Sequence, residues 1–182
     1  MKTLIFYFVL LVFGTGHAQQ FTELKEARVG FAPLSKDVKQ SGNSFSYNVK
    51  ESYSGEFEKD PLAFMDAYFD IENFINAVGH EDYDFYEVSF VSRKGILKAE
   101  YTAEGDLLRS SSRFKNIVLP EQLRSQLYRD HKGWAMTKNV HVTKGNEGIL
   151  SKSYYKIKLE NGKDRKRITL EAPLGGTEVA SN

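Results

Sequence analysis

The sequence predicts an α+β fold in which an antiparallel sheet of hairpins and meanders carries two helices packed on one face. Three observations lead to this fold class. Apolar residues recur at helical spacing over 61–77, they alternate with polar residues over most of 84–172, and a second short helical pattern follows Leu119-Pro120. Because the strands are grouped in hairpins and do not alternate one by one with helices, a doubly wound parallel sheet is disfavoured.

The composition supports one domain and excludes several function classes. The chain has 182 residues and is 41% apolar, so it can bury a core. It contains no cysteine, which excludes disulfide frameworks, cysteine-ligated zinc, iron–sulfur clusters and thiol catalysis. The formal net charge of +1 excludes a histone-like polybasic protein, although it leaves room for a local basic patch.

Residues 1–18 are typical of a secretory signal peptide. A positive charge at Lys2 precedes an apolar run from Leu4 to Phe13, and the small residues Gly16 and Ala18 stand before the expected cleavage point. The apolar run is shorter than the roughly 20 residues that a transmembrane helix needs, and no later segment is apolar enough to span a bilayer. We therefore expect cleavage after Ala18, export to the periplasm or the medium, and no membrane span.

The first part of the mature chain, residues 19–83, is expected to hold two strands and one acidic amphipathic helix. The strands are predicted over 27–34 and 44–53. The helix begins at Asp60-Pro61, because Asp is a favoured N-cap and Pro is a favoured first helical residue. Its apolar stripe continues without interruption, so one continuous helix is predicted to residue 77.

Residues 84–172 are expected to form a β-β-β-α-β-β-β domain. Period-two alternation predicts three strands, a helix follows Leu119-Pro120, and three more strands come after it. The dipeptide Asn161-Gly162 predicts a two-residue hairpin loop between the last two strands. Residues 173–182, which contain one proline and two glycines, are expected to form a flexible tail.

Five short motifs follow one another in this second part of the chain. They are Gly95-Ile-Leu-Lys-Ala-Glu-Tyr, Glu104-Gly-Asp-Leu-Leu, Leu119-Pro-Glu, Lys132-Gly-Trp-Ala-Met and Tyr155-Lys-Ile-Lys-Leu-Glu-Asn-Gly. In this order they resemble the PepSY-like family of exported bacterial proteins, which is related in fold to the β-lactamase inhibitor protein. The resemblance covers about residues 84–172, and residues 19–83 resemble, more weakly, upstream segments of proteins from Bacteroidota. It implies a small, non-catalytic periplasmic or secreted module, with inhibition of another protein as one expected role, and it supplies no catalytic residues.

No motif for catalysis, a cofactor or a metal ion is found, so the chain is not expected to be an enzyme or to need a cofactor. Nucleophile elbows, phosphate-binding glycine loops and the zinc-binding H-E-x-x-H pattern are all absent from the sequence. The three histidines outside the signal peptide, His80, His131 and His141, are not spaced as ligands of one metal ion. Ser-x-x-Lys matches that begin at Ser112 and Ser153 lie in predicted strands and lack the partner motifs of serine β-lactamases.

The distribution of charge is the unusual feature of the sequence. Residues 51–87 contain eleven acidic side chains and one basic side chain, a net charge of −10. Residues 88–170 contain eighteen basic and eight acidic side chains, a net charge of +10. Two explanations are open: the opposite charges neutralise each other within the fold or are simply solvated, or the basic side chains bind an anionic partner.

Strand alternation gathers part of the basic residues on one predicted surface. A two-residue loop at Asn161-Gly162 would place Lys158 opposite Arg165 and Lys156 opposite Arg167. Three residues of the preceding meander extend this face. The candidate partner-binding residues are Lys98, Arg109, Arg113, Tyr154, Lys156, Lys158, Arg165 and Arg167.

We expect the partner to be an anionic protein or polysaccharide of the cell envelope. Nucleic acid is not expected, because the chain is exported and loss of Lys2 leaves the mature chain with no net formal charge. Two other function classes stay open. One is a small exported enzyme with an unrecognised active site, which a cleft of converging polar groups would reveal. The other is a self-associating structural module, a homo-oligomer in which acidic and basic regions pair head to tail.

Overall fold

The computed structural model of the protein describes residues 38–78 and 83–174. The signal peptide, the strand predicted over 27–34 and the tail beyond residue 174 lie outside the described residues, so they stay predictions. Within the two described ranges, no helix is both long enough and apolar enough to cross a membrane.

Eight strands form one sheet, and their order in space follows their order in the chain. They are β1 (Val38–Ser41), β2 (Ser44–Asn48), β3 (Phe85–Val91), β4 (Gly95–Thr102), β5 (Leu107–Lys115), β6 (Ala135–Asn146), β7 (Ile149–Asn161) and β8 (Asp164–Glu171). All neighbouring strands are antiparallel except β2 and β3, which run parallel.

Four short α-helices and one 3-10 turn connect these strands. The segment between β2 and β3 contains the 3-10 turn Glu51–Tyr53, α1 (Ser54–Lys59), α2 (Pro61–Tyr68) and α3 (Ile71–Val78). A tight turn cannot join parallel strands, so these helices lie in the crossover that the β2–β3 pair needs. The fourth helix, α4 (Glu121–Asp130), connects β5 to β6 and adds the buried side chains of Leu123 and Leu127 to the core.

The predicted fold class is wrong in two respects. The sheet is mixed and not antiparallel, because β2 pairs in parallel with β3. Within 38–78 and 83–174 it is accompanied by four short helices and not by two. The strand predicted over 44–53 ends at Asn48, and the chain becomes helical from Glu51. Alternation shows which residues of a strand face the core, but it carries no information on whether distant strands run parallel or antiparallel.

The single helix predicted over 61–77 is divided into α2 and α3. Asp60 accepts a hydrogen bond of 3.1 Å from the amide of Ala63, and Asp70 accepts one of 3.0 Å from the amide of Asn73. Phe69, between the two helices, is extended with φ −122° and ψ 125°. A second N-capping aspartate inside the apolar stripe therefore starts a new helix, although the apolar spacing continues through it.

Aromatic contacts attach the helices to one face of the sheet. The ring centroid of Phe57 in α1 lies 5.1 Å from that of Phe114 in β5, and Phe74 in α3 lies 4.8 Å from Phe45 in β2. Both pairs are edge-to-face, which is the arrangement that the charge distribution of aromatic rings favours. All four rings are buried. We call this side of the sheet the core face and the opposite side the open face.

The hairpin between β7 and β8 turns one residue later than predicted. Its two-residue loop consists of Gly162 and Lys163. Gly162 has φ +58°, which suits glycine at the first central position of a type II′ turn. Lys158 therefore lies opposite Arg167 and not opposite Arg165. Because the partner shifts by two residues, every side chain stays on the face that the sequence predicted.

Candidate functional site on the open face of the sheet

The open face carries every second residue of each strand. On β7, the side chains of Tyr155, Ile157 and Leu159 are buried in the core, whereas Lys156 and Lys158 between them are not buried. Side chains alternate across a strand, so the register between neighbouring strands shows which residues share the open face.

The candidate residues of β4 and β5 lie side by side on this face. Lys98 is opposite Ser111 of β5, and Arg109 and Arg113 stand two residues away on either side of that serine. Arg113 is in turn opposite Val142 of β6. The side chains of Lys98, Arg109 and Arg113 are all exposed.

The candidate residues of β7 and β8 continue the same face. Tyr154 is opposite Val142, and the alternation of β7 places the next two candidate lysines on the same side. Lys158 is opposite Arg167, and Arg165 precedes Arg167 by two residues. The structure therefore brings all eight candidate residues onto the open face, and their role in binding stays a prediction.

The cations of β4 and β5 are paired with carboxylates of the same sheet. Lys98 Nζ lies 3.0 Å from Glu87 Oε1, and Arg109 Nη2 lies 2.7 Å from Oε1 of Glu100, its direct neighbour on β4. The hydrogen bond to Glu100 raises the pKa of the Arg109 guanidinium. We call Lys98, Arg109, Glu87 and Glu100 the balanced region, because each cation has its own carboxylate.

A row of three cations crosses β6, β7 and β8. Lys138 is opposite Lys158, and Lys158 is opposite Arg167. Like charges directly opposite each other on neighbouring strands repel. Sequence reasoning missed Lys138, because the β6–β7 register contains an irregularity between Met136 and Lys138 that no sequence pattern marks.

One carboxylate serves two of the cations in this part of the sheet. Glu160 Oε1 lies 2.7 Å from Lys158 Nζ and 3.4 Å from Arg165 Nε. The hydrogen bond from Lys158 lowers the pKa of Glu160. The other three cations nearby form no ion pair with any residue that the structure describes. We call the five cations the basic region: Lys138, Lys156, Lys158, Arg165 and Arg167.

A groove of about 490 Å³ lies beside β8 and is lined by Lys158, Arg165, Lys166 and Arg167. Alternation places Lys166 on the core face and the arginines on the open face, so the groove extends over the edge of β8. Farther along β7, the ring centroid of Tyr154 lies 5.7 Å from Lys156 Nζ, within the range of a cation–π contact. The groove thus offers several cations to a ligand that lies along the edge.

The acidic helices do not neutralise the basic region, because they lie on the core face. Their ion pairs with the sheet reach the turn between β3 and β4: Glu51 lies 3.5 Å from Arg93, and Glu58 lies 2.9 Å from Lys94. Within 38–78 and 83–174, no acidic residue of these helices is ion-paired with the basic region. The acidic helices therefore neutralise the cations of the turn, whereas among the described residues the basic region is ion-paired with Glu160 alone.

A serine–histidine contact bears on the enzyme alternative. His141 Nε2 lies 3.1 Å from Ser153 Oγ, and the imidazole stacks on Tyr155 with 4.2 Å between ring centroids. Burial lowers the pKa of His141. In the described part of the chain no carboxylate orients the imidazole, and the Ser153 side chain is buried on the core face. The contact therefore satisfies a buried hydroxyl and a partly buried imidazole, and among the described residues it lacks the third group that orients the histidine of a catalytic triad.

Neither a metal site among the described residues nor a known relative assigns a function to the chain. Among the described residues there is no group of three or more side chains that could hold a metal ion. Comparisons with protein-family models, with curated proteins and with solved structures found no match. The resemblance to the PepSY-like family therefore stays a prediction from the sequence motifs.

Proposed function

We propose that the chain is an exported, non-catalytic binding module whose basic region holds an anionic partner of the cell envelope. The observation that carries this proposal is the row of Lys138, Lys158 and Arg167, in which Lys158 alone is ion-paired, with Glu160, among the residues that the structure describes. Each like-charged pair costs the fold roughly a few tenths of a kcal/mol. A bound anion would remove this repulsion, and arginine is among the side chains that most often contribute binding energy.

Two features of the sequence support the location and the binding role that we propose. The signal-peptide pattern of residues 1–18 supports export. The resemblance of residues 84–172 to PepSY-like proteins supports a role in binding another molecule, with inhibition of a partner protein as one form of that role. In an aqueous compartment at moderate ionic strength, the uncompensated cations would attract anions over about 10 Å.

The test compares two double variants that remove the same charge from the two regions of the open face. K156Q/R167Q removes two unpaired cations from the basic region, and K98Q/R109Q removes two paired cations from the balanced region. Binding of the chain from Gln19 onward to polygalacturonate, a model polyanion, is measured by calorimetric titration at about 20 mM and about 300 mM NaCl. Thermal melting of each protein confirms that the variants are folded.

We expect K156Q/R167Q to weaken the binding of polygalacturonate by about tenfold or more, and K98Q/R109Q to weaken it by less than about threefold. The higher salt concentration should weaken binding by the parent chain steeply, because exposed charges are screened. Equal losses of affinity in the two variants, or binding that does not change with salt, would contradict the proposal.

Self-association is a second candidate function, because opposite charges lie on opposite faces of the molecule. Helices α1–α3 carry exposed acidic residues, including Asp66 and Glu72, on the side away from the basic region. Docking of these helices onto the basic region of another copy would build a head-to-tail assembly. Sedimentation at low and high salt decides between the candidates: a mass that grows with concentration only at low salt supports self-association, and a monomer under both conditions excludes it.

A further inference from the structure

β8 is the last strand of the sheet, and its outer edge is unpaired in the described part of the chain. The amide of Ala172 donates a hydrogen bond of 2.9 Å to the carbonyl oxygen of Ser153. Hydrogen-bonded and non-hydrogen-bonded pairs alternate along an antiparallel ladder, so the even-numbered residues of β8 bond to β7. The amides and carbonyls of Arg165, Arg167 and Thr169 therefore point away from the sheet.

The free edge of β8 has chemically different side chains on its two faces. Arg165 and Arg167 lie on the open face, whereas Ile168 and Leu170 are partly buried against the core on the other face. The groove of about 490 Å³ crosses this edge, since side chains from both faces line it. An extended chain beside β8 would meet Arg165 and Arg167 on the open face along the first half of the strand. Along the second half it would meet the apolar residues Ile168 and Leu170 on the core face, and Thr169 and Glu171 on the open face.

Charged side chains on an edge strand commonly prevent it from pairing with other strands. Along the open face of β8 the first two charges, Arg165 and Arg167, have the same sign, so this half of the edge favours an acidic strand. We infer that the free edge of β8 accepts an extended acidic segment of a partner protein as an additional strand. Acidic residues of that segment lie on the open face, and the apolar residues between them lie on the core face.

This inference rests on the proposed function, because it names the partner class of the basic region. The test uses a synthetic peptide of about eight alternating Glu and Val residues, which is long enough for one strand. A control peptide has the same composition arranged as a Glu block and a Val block. Polygalacturonate serves as a polyanion that cannot add a strand.

Two substitutions at one position separate the backbone from the side chain. T169P removes an outward-pointing amide, a change that an edge strand tolerates because this amide is not bonded within the sheet. T169A removes the side chain and keeps the amide. We expect T169P to weaken binding of the alternating peptide by about tenfold or more, and T169A by less than about twofold. Both variants should bind polygalacturonate within about twofold of the parent chain.

The outcomes distinguish the two proposals. Equal binding of the alternating and block peptides, or equal effects of T169P and T169A, overturns strand addition, and continued binding of polygalacturonate then leaves the proposed function standing as a polyanion site. Failure of both peptides and of polygalacturonate to bind the parent chain overturns the proposed function and the inference with it.

Amide exchange provides a measurement that needs no variant. Saturating alternating peptide should slow hydrogen exchange at the amides of Arg165, Arg167 and Thr169 by about tenfold or more. The amides of Lys166 and Ile168 should change much less, because they already bond to β7. Unchanged exchange at the three outward-pointing amides overturns strand addition even if T169P does not fold.

Discussion

The balanced region and the basic region share the open face, yet their cations have different surroundings. In the balanced region, Lys98 and Arg109 each have a glutamate oxygen, at 3.0 Å and 2.7 Å. In the basic region, cations stand opposite cations, and Glu160 is shared between two of them. The comparison shows that a strand rich in basic residues does not by itself present unpaired cations. The positions of the carboxylates decide which cations remain available to a partner.

The difference between the regions concerns attraction more than stability. An exposed ion pair contributes at most about 1 kcal/mol to folding, so the glutamates of the balanced region add little to the stability of the sheet. They do cancel the positive potential that would otherwise attract an anion. The basic region keeps this potential, at a small cost to the fold.

The largest expected effect is a loss of stability, and it tests whether the helices are attached on the core face alone. Phe57 is 0% exposed and packs against Phe114 of the sheet. We expect F57A to lower the free energy of unfolding by about 3–5 kcal/mol, measured by urea denaturation. Under conditions where F57A is still folded, its affinity for polygalacturonate should match that of the parent, since the open face is unchanged. As a control, Y154A on the open face should cost less than about 1 kcal/mol, and a loss as large as that of F57A would contradict the assignment of faces.

A second prediction converts the balanced region into a copy of the basic region. E87Q/E100Q removes the carboxylates that pair with Lys98 and Arg109. We expect the affinity for polygalacturonate to rise by about threefold or more at low salt, because two cations become available. E51Q/E58Q removes the same charge from the core-face helices and should raise the affinity less. An equal rise in both variants would mean that net charge, and not local pairing, determines binding.

A third prediction makes the opposite change in the basic region. Thr169 lies directly opposite Lys156, so T169E places a carboxylate beside an unpaired cation. We expect polygalacturonate binding to weaken by about threefold, with a gain in unfolding free energy below about 0.5 kcal/mol. T169Q, which has the same shape without the charge, should leave both quantities nearly unchanged. A loss of affinity in T169Q equal to that in T169E would contradict the electrostatic explanation.

The smallest expected effect comes from the titration of Glu160. The hydrogen bond from Lys158 lowers the pKa of Glu160 below its ordinary value of 4.5. Its contribution to stability is therefore complete above pH 4.5 and is lost as the pH falls through the folded-state pKa. Protonation in this window frees Lys158 and Arg165, so dextran sulfate, which stays ionised, should bind slightly more tightly. The increase should be absent in E160Q, and identical pH profiles of E160Q and the parent would contradict it.

Periodicity in the sequence predicts much of the sheet but not its direction or connections. Alternation over 84–172 marks the segments that become β3–β8, because each strand buries every second residue. The parallel pairing of β2 with β3 depends on a crossover of several short helices, which no local pattern specifies. The division between α2 and α3 depends on the cap at Asp70, which the continuous apolar stripe conceals.

The sequence predicts which face of the sheet the candidate residues share, but it does not predict which of their charges are paired. The eight candidate residues share the open face, because the error in the predicted β7–β8 register is two residues and preserves the faces. The balance of charge depends on the exact register: Glu100 lies opposite Arg109, whereas Lys138 lies opposite Lys158. Sequence alone therefore cannot show which of the predicted cations are already paired.

Chemical-shift mapping with polygalacturonate tests the central claim most directly. The backbone amides of the isotope-labelled chain are followed as the polymer is added at low salt. We predict the largest shifts at Lys138, Lys158 and Arg167, and small shifts at Lys98 and Arg109. Shifts that are largest at Lys98 and Arg109, or that are equal in the two regions, would contradict the claim that the basic region forms the binding site.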